Sequence, residues 1–108
     1  MSSTLPEFQE AADESALVEN RMMMVELSGR PIALIYSNFK VYAIDNECSH
    51  LGGPLGRGTL KGNTVICPLH HWSYNFITGR IVEGVADEKI RTYEAKIEMG
   101  KVWVKIEG

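Results

Sequence analysis

The sequence of 108 residues contains few of the side chains that bind metals or carry redox chemistry. Its only histidines are His50, His70 and His71, and its only cysteines are Cys48 and Cys67. All of them fall between positions 48 and 71, so chemistry that needs several of them must take place in that stretch. A single pair of cysteines makes a poor disulfide framework in a reducing compartment, which favours ligation as their use.

Other absences exclude whole classes of protein. No run of about 18 apolar residues is present, which excludes a membrane-spanning helix, and the first residues lack the basic and apolar regions of a secretory signal. We therefore expect a cytoplasmic protein with no membrane partner. The chain has 11 basic and 14 acidic residues and a net charge of −3, which is not the basic footprint of a nucleic-acid-binding protein.

The net charge is unevenly distributed along the chain. Residues 1–20 carry five acidic and no basic side chains, giving −5, and residues 21–108 carry nine acidic and 11 basic ones, giving +2. The acidity therefore belongs to the N-terminal segment, which we interpret as solvated. The length is that of one domain, residues 1–108.

Alternating apolar residues and tight turns predict an all-β fold. Strands are expected at 8–12, 22–27, 32–36 and 41–45, and the turns at 28–31 and 37–40 join the last three of these into an antiparallel meander. Near the C-terminus, residues 92–98 and 102–106 alternate with period two on either side of Met99 and Gly100, which predicts a hairpin. The fold class is a small antiparallel β-sandwich or barrel.

Between these two β regions lies a segment of different composition. Residues 46–84 hold seven of the ten glycines and every cysteine and histidine. We interpret this segment as a loop-rich, metal-binding subdomain inserted between the β regions.

The spacing of the donors within that segment carries the functional argument. Residues 48–50 form Cys-x-His and residues 67–70 form Cys-x-x-His, with 16 residues between the two motifs. A tetrahedral zinc site could use two thiolates and two imidazoles, although zinc motifs usually pair cysteine with cysteine and histidine with histidine. A cluster of two unlike irons needs one iron held by both sulfurs and the other by both imidazoles. Two facing loops that each contribute one Cys and one His satisfy this requirement.

These motifs resemble those of the Rieske-type 2Fe-2S family, in which two histidines replace two cysteines on one iron. The resemblance rests on residues 48–55 (CSHLGGPL) and 67–70 (CPLH), with the turn 77–80 (ITGR) behind them. It implies that the domain binds one Rieske 2Fe-2S cluster, with Cys48 and Cys67 on the inner iron and His50 and His70 on the outer iron.

The resemblance also narrows the subtype. High-potential members carry an extra cysteine in each loop, where this chain has Gly53 and Leu69, and a serine where this chain has Trp72. Tyr74 matches the family's other hydrogen-bond donor to the cluster. The chain therefore resembles the soluble, low-potential ferredoxins, and His71 stands where the family usually has glycine.

Several functions are compatible with these motifs. The leading hypothesis is a monomeric one-electron carrier that links a flavoprotein reductase to a terminal oxygenase or other oxidoreductase. The alternatives are the small Rieske subunit of an assimilatory nitrite reductase and a zinc-stabilised binding module without redox activity. An oxygenase is excluded for this chain alone, because a mononuclear iron triad needs two further histidines and only His71 remains.

The sequence also predicts how a partner would dock. Residues 49–72 contain no acidic side chain, and their only charged groups are Arg57 and Lys61. Apolar residues at the loop tips are expected to form the docking surface: Leu51, Pro54, Leu55, Pro68 and Leu69.

Overall fold

The computed structural model describes residues 8–47, 54–68, 72–83 and 89–106, and these residues form two antiparallel β-sheets. The first sheet has six strands in the order β1-β10-β9-β4-β3-β2, and the second has four strands in the order β5-β6-β7-β8. The first sheet contains β1 (Phe8–Asp13), β2 (Arg21–Leu27), β3 (Arg30–Ser37), β4 (Lys40–Asp45), β9 (Thr92–Glu98) and β10 (Lys101–Lys105). The second contains β5 (Thr59–Lys61), β6 (Thr64–Ile66), β7 (Ser73–Asn75) and β8 (Ile81–Glu83). The all-β prediction is confirmed.

Two-residue turns join the strands that form hairpins in the six-stranded sheet. Ser28 and Gly29 have φ of 52° and 76°, and Met99 and Gly100 have φ of 57° and 76°. Two successive positive φ values give the type I′ turn, whose twist matches that of a β-hairpin. The meander β2-β3-β4 and the hairpin β9-β10 therefore form where the sequence predicts them.

The six-stranded sheet is curled. This is shown by the contact between its two edge strands, β1 and β2. Its concave side encloses the first of two apolar cores, which we call the inner core. The buried side chains of the inner core are Leu27, Ile32, Leu34, Val41, Ala43, Val102 and Val104. Ala95 and Ile97 of β9 pack against it, on the side of the strand that the alternation predicts.

The second core lies between the outer face of β3 and β4 and the four-stranded sheet, and we call it the interface core. Its buried side chains are Ala33, Ile35, Ile44, Leu55, Val65, Cys67, Tyr74, Phe76 and Ile90. Alternate residues of β3 enter opposite cores, so that Ile32 and Leu34 belong to the inner core and Ala33 and Ile35 to the interface core. Strand β3 is therefore buried on both faces.

Several N-terminal acidic residues form ion pairs or hydrogen bonds, although the sequence led us to expect a solvated segment. Lys101 Nζ lies 3.2 Å from Glu10 Oε2 and 2.6 Å from Asp13 Oδ1. The carboxylate of Glu19 accepts hydrogen bonds from the backbone N–H groups of Asn38 at 2.6 Å and Phe39 at 3.2 Å. These contacts hold the first strand and the β3-β4 turn in place.

The main element that the sequence did not predict is the four-stranded sheet. It lies within the segment 46–84, where only loops around a metal were expected, and each of its strands has three residues. No helix among the described residues is long and apolar enough to span a membrane.

Candidate metal centre

The candidate metal centre is described in part. Cys67 lies among the described residues, and Cys48, His50 and His70 lie outside them. The structure does show both ends of each loop that carries these residues. The geometry of those ends defines the frame of the site.

The first loop, residues 48–53, is closed at its base by an antiparallel bridge. Glu47 pairs with Pro54, and the backbone N–H of Leu55 donates a hydrogen bond of 2.6 Å to the carbonyl oxygen of Asn46. The chain then enters a 3-10 helical turn, Leu55–Arg57, whose Leu55 is fully buried in the interface core. The loop that carries Cys48 and His50 is therefore a hairpin loop with a fixed base.

The second loop, residues 68–71, is closed in the same way. Ile66 of β6 pairs with Ser73 of β7, and the backbone N–H of Cys67 donates a hydrogen bond of 2.7 Å to the carbonyl oxygen of Trp72. Cys67 therefore occupies the last paired position before the loop that carries His70. A thiol in this position is held by backbone pairing as well as by packing.

The two loop bases are brought together by a close approach of the backbone. Thr59 of β5 pairs with Ile66, the residue before Cys67. A Cβ atom on Gly58 would lie 2.0 Å from the carbonyl oxygen of Ile66, so only glycine fits at this crossing. The end of the first loop is thereby fixed against the strand that leads into the second.

Cys67 is fully buried in the interface core, at 0% exposure. Tyr74, two positions into β7, is also fully buried in that core, and the half-buried Trp72 packs against it. Trp72 therefore contributes to the packing of the interface core. The hydrogen-bonding role expected for Tyr74 remains a prediction.

The surroundings of Cys67 fit an iron-sulfur ligand. Cys67 is fully buried among apolar side chains, and burial of a thiolate charge is costly unless the thiolate is paired or coordinates a metal. Coordination to a metal compensates the negative charge of the thiolate in an apolar environment. The remaining donors of the set are one cysteine and two histidines in two short loops with fixed bases, which suits a centre with mixed sulfur and nitrogen ligands.

The predicted docking surface is wrong at one residue. Leu55 was expected at a loop tip, but it is fully buried at the base of the first loop. The 3-10 turn that starts at Leu55 directs its side chain into the interface core. Pro68 is exposed and Pro54 is half-buried, while Leu51 and Leu69 lie outside the described residues.

The Tyr93 hydroxyl, which contacts the end of β4, has a raised pKa. Burial raises the pKa of Tyr93 above its usual 10.0, and the hydrogen bond from its hydroxyl to Asp45 raises it further. The Tyr93 hydroxyl oxygen lies 2.5 Å from Asp45 Oδ1, and Arg30 Nη1 donates to the same hydroxyl at 3.5 Å. This link ties the end of β4 to β9, three residues before Cys48.

The described residues define an antiparallel β protein in which two loops with paired bases carry Cys48, His50 and His70, and Cys67 stands at the base of the second loop. The family model for the Rieske [2Fe-2S] domain matches residues 7–94. The chain belongs to this family. It binds a Rieske-type 2Fe-2S cluster, as the sequence predicts.

Curated relatives match almost the whole chain. The ferredoxin component of naphthalene 1,2-dioxygenase/salicylate 5-hydroxylase systems from Ralstonia sp is 33% identical over 98 residues, covering 91% of this chain and 94% of the relative. The ferredoxin component of a naphthalene 1,2-dioxygenase system from Pseudomonas putida is 31% identical, covering 90% and 93%. The predicted assignment as an electron-transfer protein and not a catalytic enzyme is confirmed.

A solved structure supports the fold. The ferredoxin of carbazole 1,9a-dioxygenase from Nocardioides aromaticivorans IC177 superimposes with a TM-score of 0.87 and 22% identity. The superposition covers 93% of this chain and 98% of that one. At this identity the likeness concerns the fold, and it includes both sheets of the described residues.

Proposed function

We propose that the protein is the ferredoxin of an aromatic-ring dioxygenase system, which takes single electrons from a flavoprotein reductase and passes them to a terminal oxygenase. The observation that carries this proposal is the buried Cys67, which stands at the base of the loop that carries His70, while the loop that carries Cys48 and His50 is closed by its own paired base. The proposal is supported by relatives of nearly the same extent that are ferredoxin components. We expect a monomer that works in the cytoplasm.

The ligand set that we propose is Cys48, His50, Cys67 and His70. Burial of Cys67 in the interface core favours an inner position for the iron that it binds. The resemblance to the family then assigns Cys48 to the same iron and both histidines to the outer iron. The histidine rings would thus lie between the cluster and the partner.

The charge of this ligand set explains its use as an electron carrier. Two thiolates and two neutral imidazoles balance the +2 charge of an oxidised 2Fe-2S core, whereas four thiolates would leave −2. An added electron therefore meets less repulsion than in an all-cysteine cluster, and the potential lies in a range of about −150 to +300 mV. With Trp72 in place of the serine donor, we expect a potential in the lower part of that range.

The rest of the chain holds the ligands and excludes water from the inner side. The apolar side chains around Cys67 leave it fully buried, and the paired loop bases resist changes of shape. A rigid site undergoes little rearrangement when its charge changes, which suits repeated transfer of electrons. Catalysis takes place in the partner.

The first experiment identifies the metal centre. Purified protein is analysed for iron, acid-labile sulfide and zinc, and the dithionite-reduced protein is examined by electron paramagnetic resonance. Two irons and two sulfides per chain and a Rieske-type spectrum are expected. A colourless protein with one zinc per chain contradicts the electron-carrier proposal and supports a zinc-stabilised binding module.

The second experiment identifies the partner. The protein is added to a naphthalene dioxygenase from which the ferredoxin component has been omitted, with the flavoprotein reductase and NADH present. Product formation that requires the ferredoxin supports the proposal. The control is the Cys67→Ala variant, which should not restore turnover. Failure with this oxygenase, combined with support of nitrite reduction by a large nitrite reductase subunit, would assign the protein to the nitrite pathway.

A further inference from the structure

Asn46 is a buried polar residue between β4 and the first loop, two positions before Cys48. Its exposure is 9%, which places it among three buried polar residues in the described part of the chain. A polar residue is buried at a net cost unless its groups are hydrogen-bonded. The bonds that Asn46 makes therefore indicate what it contributes.

The hydrogen bonds of Asn46 link both ends of the first loop. Its backbone N–H donates to the carbonyl oxygen of Pro31 at 3.0 Å, which fixes it to β3. Its carbonyl oxygen accepts from the N–H of Leu55 at 2.6 Å, and its side-chain Oδ1 accepts from the N–H of Gly56 at 2.7 Å. Asn46, which precedes the loop, thus forms hydrogen bonds with two consecutive residues that follow it, Leu55 and Gly56.

The contact between Asn46 and Gly56 is close-packed. A Cβ atom on Gly56 would lie 2.6 Å from Asn46 Oδ1 and 2.4 Å from Cγ of Met24. Without a Cβ atom, the backbone of Gly56 can approach the carboxamide closely. The side-chain hydrogen bond and the absence of a Cβ atom on Gly56 therefore fix the distance between the two ends of the loop.

We propose that Asn46 is a positioning residue for the metal centre, which sets the placement of Cys48 and His50 by joining the two ends of their loop. The inference rests on the proposed ligand assignment and adds a residue to the site that supplies no ligand. Outer hydrogen-bonding partners of this kind tune a metal by fixing its ligands. Asparagine suits the position because its carboxamide accepts the Gly56 hydrogen bond without adding negative charge beside the cluster.

The test compares two asparagines with the same local chemistry. Asn75 also accepts backbone hydrogen bonds with its Oδ1, from Ile77 at 2.8 Å and Thr78 at 3.1 Å, but it closes the β7-β8 turn and not a ligand loop. The variants are Asn46→Ala, Asn46→Asp and the matched control Asn75→Ala. Each is measured for the g-values of the reduced cluster and for the rate of cluster loss to an iron chelator.

We expect Asn46→Ala to shift the g-values and to accelerate cluster loss about tenfold or more, as removal of outer partners of metal ligands does. Asn46→Asp keeps an acceptor for the Gly56 N–H and should retain a loss rate close to that of the parent protein. Asn75→Ala should leave the g-values unchanged. Parent-like g-values and loss rate in Asn46→Ala, or an equal effect in Asn75→Ala, would overturn the proposal.

A second variant keeps the test decisive if Asn46→Ala does not fold. Gly56→Ala places a methyl group against Asn46 Oδ1 and separates the two partners, so it should reproduce the shift in g-values. Parent-like g-values in Gly56→Ala would count against the proposal. Absence of a Rieske spectrum in the parent protein would contradict the proposed function itself, so the two failures are distinguishable.

Discussion

The backbone N–H of Cys67 donates a hydrogen bond of 2.7 Å to the carbonyl oxygen of Trp72. This bond closes a loop of four residues, 68–71, that contains His70. The buried Cys67 therefore stands at the closed base of the loop that carries His70. Only two residues separate Cys67 from His70 along the chain, which limits how far apart these two proposed ligands can lie.

Replacement of one histidine tests the ligand assignment. His50→Cys should retain a cluster but lower its potential by on the order of 100 mV, because a thiolate adds a negative charge to a cluster that is otherwise neutral when oxidised. The potential is measured by redox titration followed by electron paramagnetic resonance. His71→Ala is the control and should keep the parent potential within error. An unchanged potential in His50→Cys would exclude His50 as a ligand.

The crossing at Gly58 can be tested with a single methyl group. Gly58 has φ of −82°, which alanine tolerates, but the added Cβ would lie 2.0 Å from the backbone oxygen of Ile66. Gly58→Ala should therefore separate the loop bases, lower the free energy of unfolding by about 1–3 kcal/mol and reduce the bound iron. Chemical unfolding and iron analysis measure the two effects.

The control for that variant is Gly62→Ala. Gly62 has φ of 59° and open space around the position of a Cβ atom. Its substitution should cost about 1–2 kcal/mol of backbone strain and leave the iron content unchanged. Equal iron loss in both variants would mean that general destabilisation, and not the crossing, releases the cluster.

Leu55 should contribute to stability and not to docking. Leu55→Ala removes a fully buried side chain from the interface core, and we expect it to lower the free energy of unfolding by about 2–5 kcal/mol. Val18→Ala, at a position 57% exposed, should change it by less than about 0.5 kcal/mol. Denaturant titration of the two holoproteins compares them. Similar small effects would show that Leu55 is not buried in solution.

The stabilising contribution of Tyr93 should be lost at high pH. Its pKa is raised in the folded state, first by burial and then by the hydrogen bond to Asp45. The folded protein therefore holds this proton more tightly than the unfolded chain does, and the stabilisation is complete below pH 10.0 and is lost as the pH rises through the folded pKa. Stability measured against pH should fall less steeply above pH 10 in Tyr93→Phe. An identical slope in both proteins would contradict this linkage.

Docking should depend little on ionic strength. Pro68 is exposed beside the second loop, and no acidic residue occurs between positions 49 and 72. Apolar contacts are not screened by salt, whereas attraction between exposed charges weakens beyond a Debye length of about 10 Å at 0.1 M. The rate of electron transfer to the oxygenase is measured by stopped flow at increasing salt. A steep fall would assign docking to charged residues outside this surface.

The sequence predicts strands that alternate or that form apolar runs of about five residues between turns. The strands β2, β9 and β10 alternate and form with the expected faces, and β3 and β4 are nearly continuous apolar runs. The strands β5 to β8 have three residues each, which is too short for an alternating pattern to be recognised. Their pairing depends on contacts such as Gly58 with Ile66, which only the folded chain brings together.

The sequence indicates candidate donors but not the residues that support them. Cys67 and its partners stand out because cysteine and histidine are rare in this chain and are spaced as pairs. Asn46 carries no such signal, because an asparagine after a strand predicts only a turn. Leu55 was misplaced because a leucine among glycines suggests an exposed loop, and the 3-10 turn that buries it leaves no periodic pattern.

Strand β3 gives alternate side chains to both cores. A strand shared in this way leaves no plane along which the two halves of the molecule could separate. We therefore expect the amide protons of β3 to exchange with solvent only when the whole domain unfolds. Colour and β-structure should then disappear in one transition on heating, so that the loss of visible absorbance becomes a measure of global stability.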